Sequence, residues 1–251
     1  MMNKTEIVVH AMRRSGHHAM VQWILENSEG PTCFLNDCEP NTNPFVTCNK
    51  ENSQLMTPNQ YKVILVYNYE DRGVVDTTHF EQYLGKSGQK IQLIVIRNPF
   101  NNFASKYKWH LSGKYFAPTI EDILMLKEQW KVYAKESLGI TSLLPVSEKK
   151  VILYEKWFSS EEYRQELAQT IGLKTTHKGL HKIAHWGPNT WGDGFDNMKM
   201  DGNASKMKVL TRYKMYRKDS FFKSLFDDEL IELSRLLFAD TNTIVKELSI
   251  K

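Results

Sequence analysis

The stretch from Glu6 to Leu25, EIVVHAMRRSGHHAMVQWIL, limits what the chain can fold into more than any other. It opens on Ile7-Val8-Val9, a β-branched run that suits a buried strand. It passes through the basic turn Arg13-Arg14-Ser15-Gly16-His17-His18 and continues as a helical pattern, Ala19 to Leu25. The first amide N–H groups of a helix have no partner inside the helix and point at whatever occupies such a turn. Arginines there add formal positive charge to those dipoles. The turn is therefore a candidate binder of a phosphate or sulfate ester. An ordinary strand–helix corner would carry the same pattern, so the turn alone does not decide the matter.

The rest of the chain repeats the alternation. Tyr61 to Tyr67, Ile91 to Ile96 and Val151 to Tyr154 read as further apolar strands. Helical patterns follow at Asn101–Leu111, with Pro99 in the first turn, and at Thr119–Leu138, opened by Thr119 with Asp122 three residues on. Another begins at Ser159 or Ser160 and stops at Gly172. A last one, Ser220 to Phe238, is broken near Leu225. Glu29 to Asn59, punctuated by prolines, reads as irregular, and 178–206 as a glycine-rich lid. Short β-branched strands between helices predict an α/β fold, one domain over residues 1–251 with a central parallel sheet flanked by helices. Ligands of such sheets bind beyond the carboxyl ends of the strands. Arg13 and Arg14, Glu70 and Asp71, and Arg97 all fall there.

Composition narrows the function classes. A net charge of +4 over 251 residues is too small an excess to announce a nucleic-acid binder, though it suits an anionic ligand. No apolar run reaches the roughly 20 residues of a membrane helix. The N-terminus lacks the apolar segment of a signal peptide, so a cytoplasmic location is expected. Cys33, Cys38 and Cys48 are odd in number and form no CxxC pair, which predicts reduced structural thiols.

The turn lacks the GxxxxGK[ST] pattern of a nucleotide triphosphatase and the GxGxxG of a dinucleotide binder. A second cluster, LIVIRNPFNNFAS from Leu93 to Ser105, gives a better parallel. With it the sequence resembles the sulfotransferases that use 3′-phosphoadenosine 5′-phosphosulfate (PAPS), a P-loop-like fold. Arg14-Ser15-Gly16 matches the [KR]-S-G core of that family. Arg97, Pro99 and Ser105 match its Arg-x-Pro strand end with a serine eight residues after the arginine. The helix with Trp130 and Tyr133, the strand Val151 to Lys156 and the Ile171-Gly172-Leu173 stop also fit, so the likeness runs in order over about residues 5 to 175. His17 and His18 stand where relatives carry hydroxyl residues.

The resemblance implies transfer of a sulfuryl group to a hydroxyl or amine by in-line attack, with 3′,5′-ADP (PAP) leaving and no metal required. It implies that Arg13, Arg14, Ser15, Gly16, His17 and His18 hold the 5′-phosphosulfate, with Arg14 stabilising charge on the leaving oxygen. Arg97 and Ser105, the latter about two turns into its helix at roughly 3.6 residues per turn, would hold the 3′-phosphate. Residues 202–206, or Arg212, would close over the nucleotide. The base is expected at Glu70, then Asp71, then His79. The acceptor, a small molecule or a glycan, is not specified by the fold. Trp186 and Trp191 could line its pocket or simply anchor the lid. Tyr107, Lys108, Trp109 and His110 mix basic and aromatic residues that could contact a sugar or nucleic acid, though a helix with one buried face carries the same pattern. His177, His181 and His185 recur every fourth residue, yet Gly179 weakens a helix there and no metal site is expected. A P-loop kinase would need a lysine and a magnesium ligand at the turn. A non-catalytic binder of nucleotides or sulfated glycans would need Arg14 and Arg97 but no base.

Overall fold

The computed structural model describes residues 1–115, 117–173, 178–180 and 208–250. In chain order the elements are β1 (Asn3–Ala11), α1 (His17–Glu26), β2 (Thr32–Leu35), α2 (Pro44–Thr47), β3 (Lys62–Glu70), α3 (Glu81–Leu84), β4 (Ser87–Ile96), α4 (Pro99–Leu111), α5 (Ile120–Leu124) and α6 (Leu126–Ser137). There follow β5 (Lys149–Leu153), α7 (Tyr154–Ser159), α8 (Glu161–Ile171), α9 (Ser220–Ser224), α10 (Asp228–Leu237) and α11 (Thr241–Leu248). Most of the proposed lid, residues 202–206, His177, His181, His185, Trp186 and Trp191 lie outside the described residues.

The sheet has the order β2-β3-β1-β4-β5, and every pairing is parallel. This is the α/β architecture expected from the alternation of strands and helices. Period-two side-chain alternation assigns each strand's residues to opposite faces. On β4, Ile94 and Ile96 pack with Phe100, Trp130 and Phe222 on one face, while Leu93 and Val95 pack with Trp23, Ile24 and Trp157 on the other. Helices thus cover both faces, as a parallel sheet requires. Among the described residues no helix is long and apolar enough to cross a membrane. The three cysteines are free and buried.

From β1 the chain moves toward β2; from β4 it moves the opposite way, toward β5. The two connections part at the β1/β4 boundary, which opens a crevice at the carboxyl ends. Ala11 stands opposite Glu70 on one side and Val95 on the other, so the residues just after them share one edge.

Several boundaries differ from the sequence reading. Thr32–Leu35 is a strand inside the segment read as irregular; its short apolar run, Cys33-Phe34-Leu35, is buried against β3. β3 runs on through Asn68, Tyr69 and Glu70, because the buried polar groups find partners at the sheet's end. Tyr154 begins a helix rather than ending a strand. The long helix after Thr119 divides at Met125. Its start is as expected: Asp122 N–H donates to the Thr119 hydroxyl at 3.2 Å, and Thr119 N–H donates to the Asp122 carboxylate at 2.8 Å. Such a box is worth about 1 kcal/mol. Thr119→Ala should lower the unfolding free energy in urea by about that amount, and an unchanged midpoint would show that the box contributes nothing.

Candidate functional site

The loop after β1 is tightly wound. Arg14 has φ 68 and Gly16 φ 88, both in the left-handed region. A non-glycine residue there costs about 1–3 kcal/mol and persists only where its surroundings hold it. Arg97 does so: its Nη1 donates to the Arg14 carbonyl at 2.9 Å, reaching from the end of β4 to the loop after its neighbour β1. Gly16 is required for a second reason. A Cβ on it would lie 2.1 Å from the Tyr154 ring. That ring in turn sits under the Arg97 guanidinium, 5.0 Å from centroid to Cζ.

Arg97 therefore differs from the expectation that it and Ser105 together form the anion pocket. It is 3% exposed, its Nη2 donates to the Val209 carbonyl, and its Nε faces Glu155 Oε1 at 3.8 Å. Nη1 and Nη2 donate to backbone because the side chain lies beneath the loop, at the bottom of the β1/β4 crevice. Ser105 instead accepts from Arg14 Nε at 3.0 Å and from Arg212 Nη1 at 2.7 Å. Two guanidiniums thus converge on one hydroxyl of α4. Arg212 is set there by paired contacts: its N–H donates to Asn101 Oδ1 at 2.9 Å, and Asn101 Nδ2 donates to the Leu210 carbonyl at 3.2 Å. Asn102 Nδ2 caps the Arg13 carbonyl at 3.2 Å. The sequence reading missed Asn101 and Asn102. Their position on the helix after Arg-x-Pro, on the turn that carries Ser105, was the available signal.

The second half of the site surrounds Glu70. His17 Nε2 lies 2.9 Å and His18 Nε2 3.0 Å from Glu70 Oε1, while Arg13 Nε donates to Oε2 at 2.9 Å. Arg13 also reaches Asp37 at 2.6 Å, and its backbone N–H donates to Asp71 at 2.9 Å. Asp71 takes Lys106 Nζ at 2.6 Å. His17 Nδ1 is 3.1 Å from the Ser15 hydroxyl, and His18 Nε2 is 2.8 Å from Asn36 Oδ1. Burial would raise the Glu70 carboxyl, yet the His18 and His17 contacts outweigh it and hold it well below the usual carboxylate range. Burial and the neighbouring His18 lower the His17 imidazole. His18 is lowered by burial but raised on balance by Glu70.

The structure thus gathers Arg13, Arg14, Ser15, Gly16, His17, His18, Glu70, Asp71, Ser105 and Arg212 at one edge. It does not bring His79 there. His79 is exposed on the 3₁₀ turn Thr78–Phe80. The preceding Thr77 carbonyl accepts from Lys90 Nζ at 2.8 Å, and Lys90 pairs in register with Glu6, far down β1 from the loop. The chain has by then turned back along the sheet. His17, His18 and Glu70 offer ligand atoms within 4.8 Å of one another and could together hold a metal ion, a set that the sequence reading did not foresee.

Beside Glu70 a cleft of about 410 Å³ opens, lined by Arg13, Asp71, Lys106, Trp109 and Gln129 among others. Gln129 Oε1 is buried there without a hydrogen-bond partner among the described residues.

No protein-family model matches this chain, and no curated protein does. Solved structures to which the chain is similar include three sulfotransferases. The sulfotransferase domain of the Synechococcus PCC 7002 olefin synthase aligns with TM-score 0.49 at 10% identity, over 93% of this chain and 94% of that one. The sulfotransferase domain of the curacin biosynthetic pathway aligns with TM-score 0.49 at 12% identity, over 92% and 96%. Mouse sulfotransferase SULT7A1, complexed with PAP, aligns with TM-score 0.43 at 12% identity, over 98% and 83%.

Glu155 gives this site a pH signature. Its carboxyl accepts the Asn98 N–H, and burial raises it to about 7, against the pull of Arg97 and with a smaller push from Asp240. The folded chain therefore binds this proton more tightly than the unfolded chain. That stabilisation is complete below the ordinary carboxylate range and is lost as pH rises through about 7. Relative to Glu155→Gln, the melting temperature should fall between pH 5 and pH 8 (about the span of that titration). Parallel curves would refute the assignment.

Proposed function

We propose that this protein is a PAPS-dependent sulfotransferase, with 3′,5′-ADP as its nucleotide product. The observation that carries the reading is the convergence of Arg14 and Arg212 on Ser105 above a helix N-terminus, at the crevice between β1 and β4. Oriented N–H donors and always-charged guanidiniums are what a leaving phosphate needs as negative charge builds on its bridging oxygen. Arg14 stabilises that oxygen. Ser105 and Arg212 hold the 3′-phosphate, and the loop amides from Ser15 to His18 hold the 5′ end. Arg97 acts as a positioning residue, through the Arg14 carbonyl.

The acceptor hydroxyl enters the cleft beside Glu70. Glu70 is the proposed base; with its pKa held low it is weak alone, and the acceptor's proton passes through it to the hydrogen-bonded imidazoles of His17 and His18. The attacking oxygen forms its bond to sulfur as the bond from sulfur to the bridging phosphate oxygen breaks. The cleft favours a polar, hydroxylated acceptor such as a sugar. Trp109 offers an aromatic face and Asp71 a carboxylate.

A ligand that binds only the folded state raises the melting temperature. 3′,5′-ADP should raise it clearly more than ADP or ATP with magnesium; equal shifts for all three would exclude this reading. Arg97→Ala should weaken 3′,5′-ADP and 5′-AMP alike, because Arg97 acts through the loop; a selective loss of 3′,5′-ADP would return the 3′-phosphate to Arg97. Glu70→Gln should lower turnover about a hundredfold or more while leaving nucleotide affinity unchanged. Full activity would move the base elsewhere.

A further inference from the structure

The mechanism above uses His17, His18 and Glu70 only as a proton relay, yet their geometry asks for more. Consecutive residues on a helix project about 100° apart and do not normally face each other. His17 and His18 open α1, but their rings approach to 4.3 Å between centroids, and both Nε2 atoms meet the same carboxylate oxygen at 2.9 and 3.0 Å. The helix does not impose this convergence; Glu70, at the end of β3, draws both rings inward. We propose that His17 Nε2, His18 Nε2 and Glu70 Oε1 form a binding site for one zinc-class divalent ion.

Tetrahedral ligand atoms about 2.0 Å from zinc stand about 3.3 Å apart, so each imidazole, at 2.9 and 3.0 Å from Glu70, need move only a few tenths of an ångström to admit the ion. Imidazole and carboxylate donors select first-row ions such as Zn²⁺ and Co²⁺ over magnesium. Ligands at metal sites are oriented by hydrogen bonds at their outer atoms. Here His17 Nδ1 is held by the Ser15 hydroxyl at 3.1 Å, and Glu70 Oε2 by Arg13 Nε at 2.9 Å. Asn36 Oδ1, held by Asn68 Nδ2 at 3.0 Å, lies 2.8 Å from His18 Nε2 and borders the site. Asp37, bound to Arg13 at 2.6 Å, offsets the positive charge of that guanidinium beside the ion.

Glu70 is the proposed base, so a bound ion withdraws it and both imidazoles from proton transfer. The ion is then a brake on turnover rather than a cofactor. This consequence rests on the sulfotransferase reading; the binding site does not.

The test uses the full-length, untagged chain, stripped with a chelator and titrated with Zn²⁺ and, separately, with Co²⁺. The expected result is one equivalent of Zn²⁺ bound and a visible d–d spectrum for Co²⁺. His17→Gln, His18→Gln and Glu70→Gln should each weaken binding at least tenfold, with circular dichroism confirming the fold. Ser15→Ala should weaken it about tenfold through His17. His79→Ala and His181→Ala should leave it unchanged. Absence of stoichiometric binding would overturn the proposal. So would equal affinity in the His17→Gln and Glu70→Gln variants, or a loss confined to His181→Ala. These readouts need no donor nucleotide. Stabilisation of the metal-free chain by 3′,5′-ADP is measured separately, so failure of the ion site and failure of the sulfotransferase reading are distinguishable.

Discussion

The site depends on one buried contact, the Arg97 guanidinium donating to the carbonyl of Arg14. β1 and β4 are neighbours in the sheet, so the residue that ends β4 lies directly under the loop that follows β1. Arg97 uses that position to hold a left-handed, non-glycine turn in place. The Trp130 indole secures Arg97's own backbone by donating to its carbonyl at 2.9 Å, and Tyr154 supports the guanidinium from below. With the backbone fixed, the Arg14 side chain is directed over α4 to Ser105, where Arg212 arrives from a distant part of the chain. Strain at Arg14 is thus stored locally and offset by packing on three other elements.

The acidic half of the edge follows a similar logic. β3 carries Glu70 into the sheet's end, where a lone carboxylate would be costly to bury. Two imidazoles and Arg13 make it tolerable, and in doing so they converge. His17 and His18 in the turn are therefore explained by a partner on another strand. The Arg14, Ser105 and Arg212 contacts and the Glu70, His17 and His18 contacts sit side by side, joined by the single loop Arg13 to His18.

Much of the fold was legible in the sequence, because β-branched runs, the Thr119 box and the stop at Gly172 act locally. The strand–turn–helix opening and its placement at the sheet's edge were legible for the same reason. Thr32–Leu35 was not, since a run that short signals nothing until β3 lies beside it. The roles within the site were less legible. The resemblance implied that Arg97 and Ser105 act as a pair, but which guanidinium reaches a hydroxyl depends on depth in the crevice. Arg97 lies too deep, and Arg14 and Arg212 reach Ser105 instead. Glu70 read as the first carboxylate after a strand and proved to be the strand's last residue. His79 stood near it in sequence, but the chain turns back along the sheet before reaching it.

The central claim is that Ser105, gripped by Arg14 and Arg212, is the centre of an anion site for the nucleotide. Calorimetric titration of 3′,5′-ADP into the wild-type chain and into Ser105→Ala tests it most directly. The account predicts at least tenfold weaker binding in the variant, with circular dichroism showing the fold retained. Equal affinity in the two proteins would contradict it.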